Sequence, residues 1–142
     1  KVGSLFHIFL SGISFSHVFS VFLQKQKVGN NMKRYCQTLT LKNDPELIEK
    51  YIEVHSHVWP EIIEGQHEVG IVSMQIYAKG AVLFMIVDTC DDFDWDRDMA
   101  RLATLPRQAE WEAYVSQFQG CDPNATSADK WQLIDKIFDS EK

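Results

Sequence analysis

The hydrophobic positions between residues 32 and 138 alternate between the spacing of strands and the spacing of helices. Residues 32–41 alternate and are rich in threonine, tyrosine and leucine, which predicts a first strand. Asp44 and Pro45 form a helix-start signal, and apolar residues then recur at helical spacing from residue 47 to residue 59. Because Pro60 disfavours helical geometry in the residue before it, we expect this helix to break there and to restart at Glu61.

The second half of the pattern begins with two segments, residues 70–78 and 81–90, that are dense in β-branched and aromatic side chains. Lys79 and Gly80 between them are typical of a tight turn, so the segments predict a hairpin. Acidic residues early and arginines late in residues 91–104 predict a helix. A further helix is expected from Pro106 to residue 118, then a loop over residues 120–129 and a last strand over residues 131–138.

The predicted order is strand, helix, hairpin, helix and strand. This order is typical of an α+β ferredoxin-like domain with a split β-α-β arrangement, whose antiparallel sheet carries its helices on one face. The chain has no further predicted elements to cover the opposite face. We therefore expect a homodimer joined through the open sheet faces, which would form a dimeric α/β barrel.

The first 31 residues differ in composition from the rest of the chain. Residues 5–23 contain no charged side chain, but only 12 of these 19 positions are strongly apolar, which is weak for a bilayer span. The segment could be a targeting segment or weak anchor, part of something longer, or a stretch that is not normally translated. We favour the last interpretation, because Met32 opens a self-consistent set of elements, and we place one domain at residues 32–142 and an apolar tail at residues 1–31.

Charge and cysteine content narrow the class of protein. The net charge of −6 divides into +3 for residues 1–31 and −9 for residues 32–142, where 11 basic residues face 20 acidic ones. Such an acidic body argues against nucleic acid as a partner, because binding there depends on neutralising phosphates. Three cysteines are too few for a disulfide framework and fit a reducing compartment, so we expect a cytoplasmic protein with no membrane contact by residues 32–142.

The candidate chemistry lies on two predicted helices. Tyr51, His55 and Trp59 are spaced by four residues, so they would share one face of the first helix. They could simply pack in the core, or they could line an aromatic pocket around an imidazole that titrates near neutral pH. Trp111 on the last helix could close the same pocket or pack on the sheet. Neither a metal-binding Cys/His cluster nor a glycine-rich loop is present, so we expect no metal and no cofactor.

These residues resemble the L-rhamnose mutarotase family over residues 32–138. The residues that carry the resemblance follow one another in the family's order: Tyr51, His55, Trp59, Pro60, Glu61, Tyr77, Leu83, Phe84, Trp111, Tyr114, Trp131, Lys136, Ile137 and Phe138. The resemblance implies a ferredoxin-like homodimer, an isomerase that interconverts the α and β anomers of L-rhamnose without metal or cofactor.

Individual roles follow from the same resemblance. His55 matches the family's proton donor, Tyr51 a sugar-binding tyrosine, and Trp111 the first of two adjacent sugar-binding tryptophans. Glu112 stands in place of the second tryptophan, and Met74 in place of a sugar-contacting tyrosine. We therefore expect His55 to be catalytic, the other four residues to bind a monosaccharide, and that sugar to be L-rhamnose or a related one.

Two other functions remain open on the same fold. One is a non-catalytic ferredoxin-like dimer that binds a ligand or serves in a stress response, and a weaker one is a cofactor-free oxygenase. A catalyst needs His55 in a reachable pocket near Tyr51 and Trp111, whereas a non-catalytic protein can bury it.

The tail assignment predicts that deleting residues 1–31 leaves the domain intact, because the element pattern is complete from Met32. Thermal unfolding of the full chain and of the shortened chain should agree within about 5 °C, which corresponds to roughly 1 kcal/mol for a domain of this size. A larger loss would mean that the tail stabilises the domain.

Overall fold

The fold is an α+β domain built from one sheet and a set of helices, and it is described from a computed structural model. The description covers residues 32–122, 125 and 127–141, so the predicted tail lies outside it. The elements in chain order are β1 (Lys33–Thr40), α1 (Pro45–His55), α2 (Pro60–Glu68), β2 (Ile71–Lys79), β3 (Val82–Thr89), α3 (Trp95–Leu102), α4 (Gln108–Ser116), α5 (Ser127–Lys130) and β4 (Gln132–Leu133).

The sheet has the strand order β2-β3-β1-β4, and every adjacent pair is antiparallel. This is the ferredoxin-like arrangement predicted from the order of elements, with β3 inserted between β1 and β2. Along each strand, successive side chains point to opposite faces of the sheet. Leu39, Leu83 and Val87 point to the inner face and are buried there. They pack in one core with helix residues such as Ile62 and Val115. The helices therefore cover the inner face, as predicted.

The start of α1 follows the predicted signal. The carboxylate of Asp44 accepts hydrogen bonds from the backbone N–H groups of Glu46 and Leu47, at 2.9 and 3.3 Å, and Pro45 occupies the first turn. Together these groups satisfy or remove the N–H donors that a helix start leaves unpaired.

The end of α1 differs from the prediction. The helix stops at His55 rather than at Pro60, and Trp59 is extended, with φ −63° and ψ 138°. Pro60 excludes the helical region for Trp59, and the hydroxyl of Ser56 donates to the carbonyl of Glu53 at 2.6 Å, which closes the last turn. The predicted stripe is therefore wrong in part, because only Tyr51 and His55 lie on α1.

The hairpin is confirmed with its turn moved by one residue. Lys79 pairs with Val82, so the two turn residues are Gly80 and Ala81 rather than Lys79 and Gly80. Gly80 has φ 58°, a left-handed conformation that glycine adopts without steric cost.

The last strand is much shorter than predicted. Only Gln132 and Leu133 pair with β1, and the N–H of Ile134 donates once more to the carbonyl of Cys36 at 3.0 Å. Beyond this point, Ile137 and Phe138 do not pack into the core of the described residues and are 97% and 78% exposed. The predicted loop before the strand contains the single-turn helix α5.

Within the described residues, no helix has both the length and the apolar character needed to cross a bilayer. The three cysteines are free thiols, each half-buried.

Candidate active site

A cavity of about 650 Å³ lies between the inner face of the sheet and the helices. Its size is in the range of small-molecule sites in proteins. All five residues predicted for the site line it: Tyr51, His55, Met74, Trp111 and Glu112. The sequence thus identified side chains from α1, β2 and α4 that the fold brings around one space.

His55 is held in one orientation by the end of its own helix. Its Nδ1 lies 2.9 Å from the carbonyl oxygen of Tyr51, one turn earlier. A carbonyl only accepts hydrogen bonds, so the neutral imidazole carries its proton on Nδ1 and leaves a lone pair on Nε2. Nε2 is therefore the nitrogen that can exchange a proton with a ligand in the cavity.

The surroundings of His55 favour the neutral ring. Burial lowers the pKa of His55 from its ordinary value of 6.5, and the hydrogen bond to Tyr51 opposes this shift only in part. Burial penalises the charged form because the imidazolium loses its hydration. At neutral pH the site therefore contains a base that is ready to accept a proton.

Tyr51 and Trp111 contact the imidazole from two sides. The ring centroids of Tyr51 and His55 are 4.1 Å apart, and those of His55 and Trp111 are 5.4 Å apart with a nearly perpendicular arrangement. Burial, with a smaller contribution from the charge of Glu112, raises the pKa of Tyr51 far above its ordinary value, so the phenol stays protonated. These aromatic rings provide a surface on which the apolar face of a sugar can stack.

Trp59 has a supporting role rather than the predicted place on the pocket face. Its indole packs edge-on against Trp111 at 5.2 Å and parallel to Tyr114 at 6.0 Å. The guanidinium of Arg107 lies 3.9 Å above the Trp59 ring and also pairs with Glu61 and Glu110. Trp59 therefore fixes the position of Trp111 from outside the cavity.

Arg107 is a residue that the sequence analysis missed. It has φ 61°, a left-handed conformation that is rare for residues with a side chain. Its carbonyl accepts the backbone N–H of Trp111 at 2.9 Å, a hydrogen bond at the start of α4. Only the proline before it could have suggested an unusual backbone here.

His57 lies away from the cavity. It follows the end of α1, and its Nδ1 lies 2.7 Å from the hydroxyl of Ser56. It lines a second, shallower pocket of about 200 Å³ with Trp59 and Tyr114, on the outer side of Trp111.

Glutamine amides that are buried or half-buried line the cavity, and the sequence analysis did not find them. The amide nitrogen of Gln66 approaches the sulfur of Met74 at 3.5 Å, and that of Gln37 donates to the carbonyl of Trp131 at 3.2 Å. Gln108 donates to the carbonyls of two α2 residues. Glutamine carries no periodic signal in a sequence, so burial of these amides could not be read from spacing.

A metal site is not formed by the described side chains, where no three His, Cys, Asp or Glu residues are placed to share an ion. The expected absence of a cofactor stays a prediction.

The comparison with protein families places the chain in a class. The sequence profile described as L-rhamnose mutarotase matches residues 34–140. The protein is thus an isomerase that acts on carbohydrates. It belongs to the L-rhamnose mutarotase family, as the resemblance indicated.

Individual relatives agree with this assignment. An L-fucose mutarotase of Xanthomonas campestris pv. campestris is 34% identical over 110 residues, which cover 76% of this chain and 88% of the relative. A protein of Dictyostelium discoideum, whose name states no activity, is 35% identical over 111 residues, or 75% and 89% of the two chains. The solved structure of an L-rhamnose mutarotase from Formosa agariphila is similar with a TM-score of 0.57, covering 75% of this chain and 96% of that one. At 16% identity, this last likeness supports the fold alone.

The geometry predicts the protonation behaviour of His55. A titration followed by ¹H–¹⁵N correlation of the imidazole nitrogens should give a pKa below 6.5, with the Nδ1-protonated tautomer above it. The same ring in the urea-unfolded protein provides the reference. Because the unfolded state binds this proton more readily, His55 should also make the fold less stable as the pH falls through the window below 6.5. A folded-state pKa at or above the reference, or a ring protonated on Nε2 alone, would contradict the geometry.

Proposed function

We propose that the chain catalyses the interconversion of the α and β anomers of L-rhamnose or a closely related sugar, with His55 as the catalytic residue. The observation that carries the proposal is the imidazole of His55, which lines a cavity large enough for a monosaccharide and has its Nδ1 engaged by a backbone carbonyl. Family membership and the L-fucose mutarotase relative support the reaction class. The exact sugar is part of the proposal.

The reaction requires proton transfer at two oxygens. In ring opening, Nε2 of neutral His55 removes the proton from the anomeric hydroxyl, the bond between the anomeric carbon and the ring oxygen breaks, and the ring oxygen receives a proton. Rotation about the bond next to the aldehyde then exposes its other face. In ring closure the hydroxyl formed from the ring oxygen attacks the aldehyde carbon and returns its proton to the second acid–base group, while the imidazolium returns its proton to the aldehyde oxygen. His55 is therefore the base in ring opening and the proton donor in ring closure.

The second acid–base group is a water or a carboxyl group in the cavity. Glu112 lines the cavity near Tyr51, and its carboxyl group would supply this proton only when it is itself protonated. A water in the open part of the cavity would serve the same step. Positioned acid–base groups supply roughly 10²–10⁴-fold in rate, which suffices because mutarotation already proceeds slowly without a catalyst.

Substrate preference is proposed to depend on Met74 and Glu112. Both line the cavity at positions where the family resemblance implies a tyrosine and a tryptophan. Relative to those residues, this chain has lost one hydroxyl and one indole and gained a carboxylate that can accept hydrogen bonds from sugar hydroxyls. Tyr51 and Trp111 retain the family's residues, so orientation of the ring by stacking and one hydrogen bond is expected to be kept.

The non-catalytic alternative is less consistent with the position of His55. A protein that only binds a ligand has no need for an imidazole at the cavity wall, whereas the side chain lies there between Tyr51 and Trp111.

We also propose that the protein is a homodimer that pairs two sheets through their outer faces. On the outer face, Phe84 of β3 is paired with Thr38 of β1 on one side and with Tyr77 of β2 on the other. Phe84 and Tyr77 are 37% and 54% exposed, and Ile134 at the sheet edge is 40% exposed. Exposed large apolar side chains on one face of a sheet are typical of a protein interface, and a two-fold dimer would cover them with a copy of the same face.

The catalytic proposal predicts that His55→Gln lowers anomer exchange at least about 100-fold, because it removes the group that transfers the proton. Exchange is measured by saturation-transfer NMR on L-rhamnose, L-fucose and related sugars, after subtraction of the uncatalysed rate. His57→Gln is the matched control, since His57 lies in the other pocket, and it should exchange at the wild-type rate. A folded His55→Gln variant with the wild-type rate would disprove the assignment, and a wild type that accelerates no sugar would favour the non-catalytic alternative.

The dimer proposal predicts twice the chain mass by light scattering at micromolar concentration. Phe84→Glu places a charge in the centre of the outer face and should shift the mass toward the monomer. Ile52→Glu is the control, because Ile52 is similarly exposed but lies on α1, on the helical side. A monomeric wild type, or equal behaviour of both variants, would refute the interface.

A further inference from the structure

Gln119 is held rigidly at the end of β1. Its backbone N–H donates to the carbonyl of Ser116 at 3.1 Å, and the residue forms an isolated antiparallel bridge with Leu41. The next residue, Gly120, donates to the carbonyl of Thr40 at 2.9 Å. These bonds fix the position of the backbone on both sides, and the side chain lines the cavity that contains His55.

The side-chain amide of Gln119 has a hydrogen-bonding group that no described residue pairs with. The residue is 1% exposed, and its Oε1 is buried without a hydrogen-bond partner among the described residues. Leaving a buried amide group unpaired destabilises a fold, so such an atom at the wall of a cavity calls for a partner supplied from the cavity. The amides of Gln37 and Gln108, by contrast, donate to backbone carbonyls.

We propose that Gln119 is a substrate-recognition residue, whose side-chain amide hydrogen-bonds one hydroxyl group of the bound monosaccharide. This inference rests on the proposed function and names a contact within that same site. A hydroxyl both donates and accepts, so it satisfies the free end of the amide whichever way the oxygen and nitrogen are placed. An apolar ligand would leave the amide unpaired in either orientation. A ligand with several hydroxyl groups is therefore the class of ligand that fits this amide.

The proposal gives Gln119 a role in binding that is separate from proton transfer by His55. Its backbone lies at the junction of α4 and β1, whereas His55 ends α1, so the two side chains approach the cavity from different elements. Gln119 would hold a hydroxyl and orient the sugar, and His55 would transfer the proton. Loss of the amide should therefore weaken binding much more than it changes the rate at saturating sugar.

The test combines side-chain replacement with removal of single hydroxyls from the sugar. Binding is measured by calorimetry for the sugar that wild type exchanges fastest and for analogues that each lack one non-anomeric hydroxyl. We expect wild type to bind one of these analogues about tenfold more weakly, the value of a typical hydrogen bond. Gln119→Met, which has a similar shape and no amide, should bind the parent sugar about tenfold more weakly and no longer distinguish that analogue.

Gln108→Met is the matched control, because it removes another buried amide of the same cavity that already donates to α2 carbonyls. It should lower the melting temperature and keep the wild-type pattern across the analogues. If Gln119→Met does not fold, Gln119→Asn replaces it, since the shorter side chain withdraws the amide from the cavity and should give the same loss.

Two results would overturn the inference in distinguishable ways. If the Gln119 variants keep the full wild-type pattern while wild type exchanges sugar, Gln119 contacts no hydroxyl and the proposed function stands. If wild type binds none of the sugars, the proposed function fails together with this contact.

Discussion

The hydrogen bond from Nδ1 of His55 to the carbonyl oxygen of Tyr51 determines what the cavity can do. It joins two residues one turn apart at the end of α1, so the helix itself orients the imidazole. His55 is the last residue of α1 and lines the cavity. Burial then keeps the ring neutral by lowering its pKa, and Nε2 remains available for a proton.

The aromatic side chains give this imidazole a fixed environment. Trp111 contacts His55 on one side and Trp59 on the other, and the Arg107 guanidinium covers the outer face of Trp59. Close packing of this kind limits the freedom of side chains that meet the ligand, so less entropy is lost when a sugar binds. Of the amides that line the cavity, Gln119 has the one that the protein leaves unpaired among the described residues, so it is the amide proposed to bind the ligand.

Local signals made most of the fold predictable. The Asp44 cap, the hairpin glycine and the alternation in β1 each act through neighbours in the sequence, and each element formed as expected. The end of α1 was misplaced, because Pro60 restricts only Trp59 and a break can begin earlier. The predicted strand over residues 131–138 was mostly unpaired, since alternation shows strand propensity but not whether a partner strand is present.

The candidate site was predictable only in its aromatic and ionisable part. Tyr51 and His55 are linked by helical spacing, and Trp111, Glu112 and Met74 came from the family resemblance; all five line the cavity. The cavity amides and Arg107 depend on tertiary contacts between α2, α4 and the sheet, which no spacing encodes.

The pH dependence of anomer exchange tests the central claim most directly. If neutral His55 is the base, kcat/KM should be constant around neutral pH and fall on the acid side, with a midpoint below 6.5 that coincides with the imidazole titration of the same protein. A rate that stays constant through the His55 titration, or that rises as the ring becomes protonated, would contradict the account.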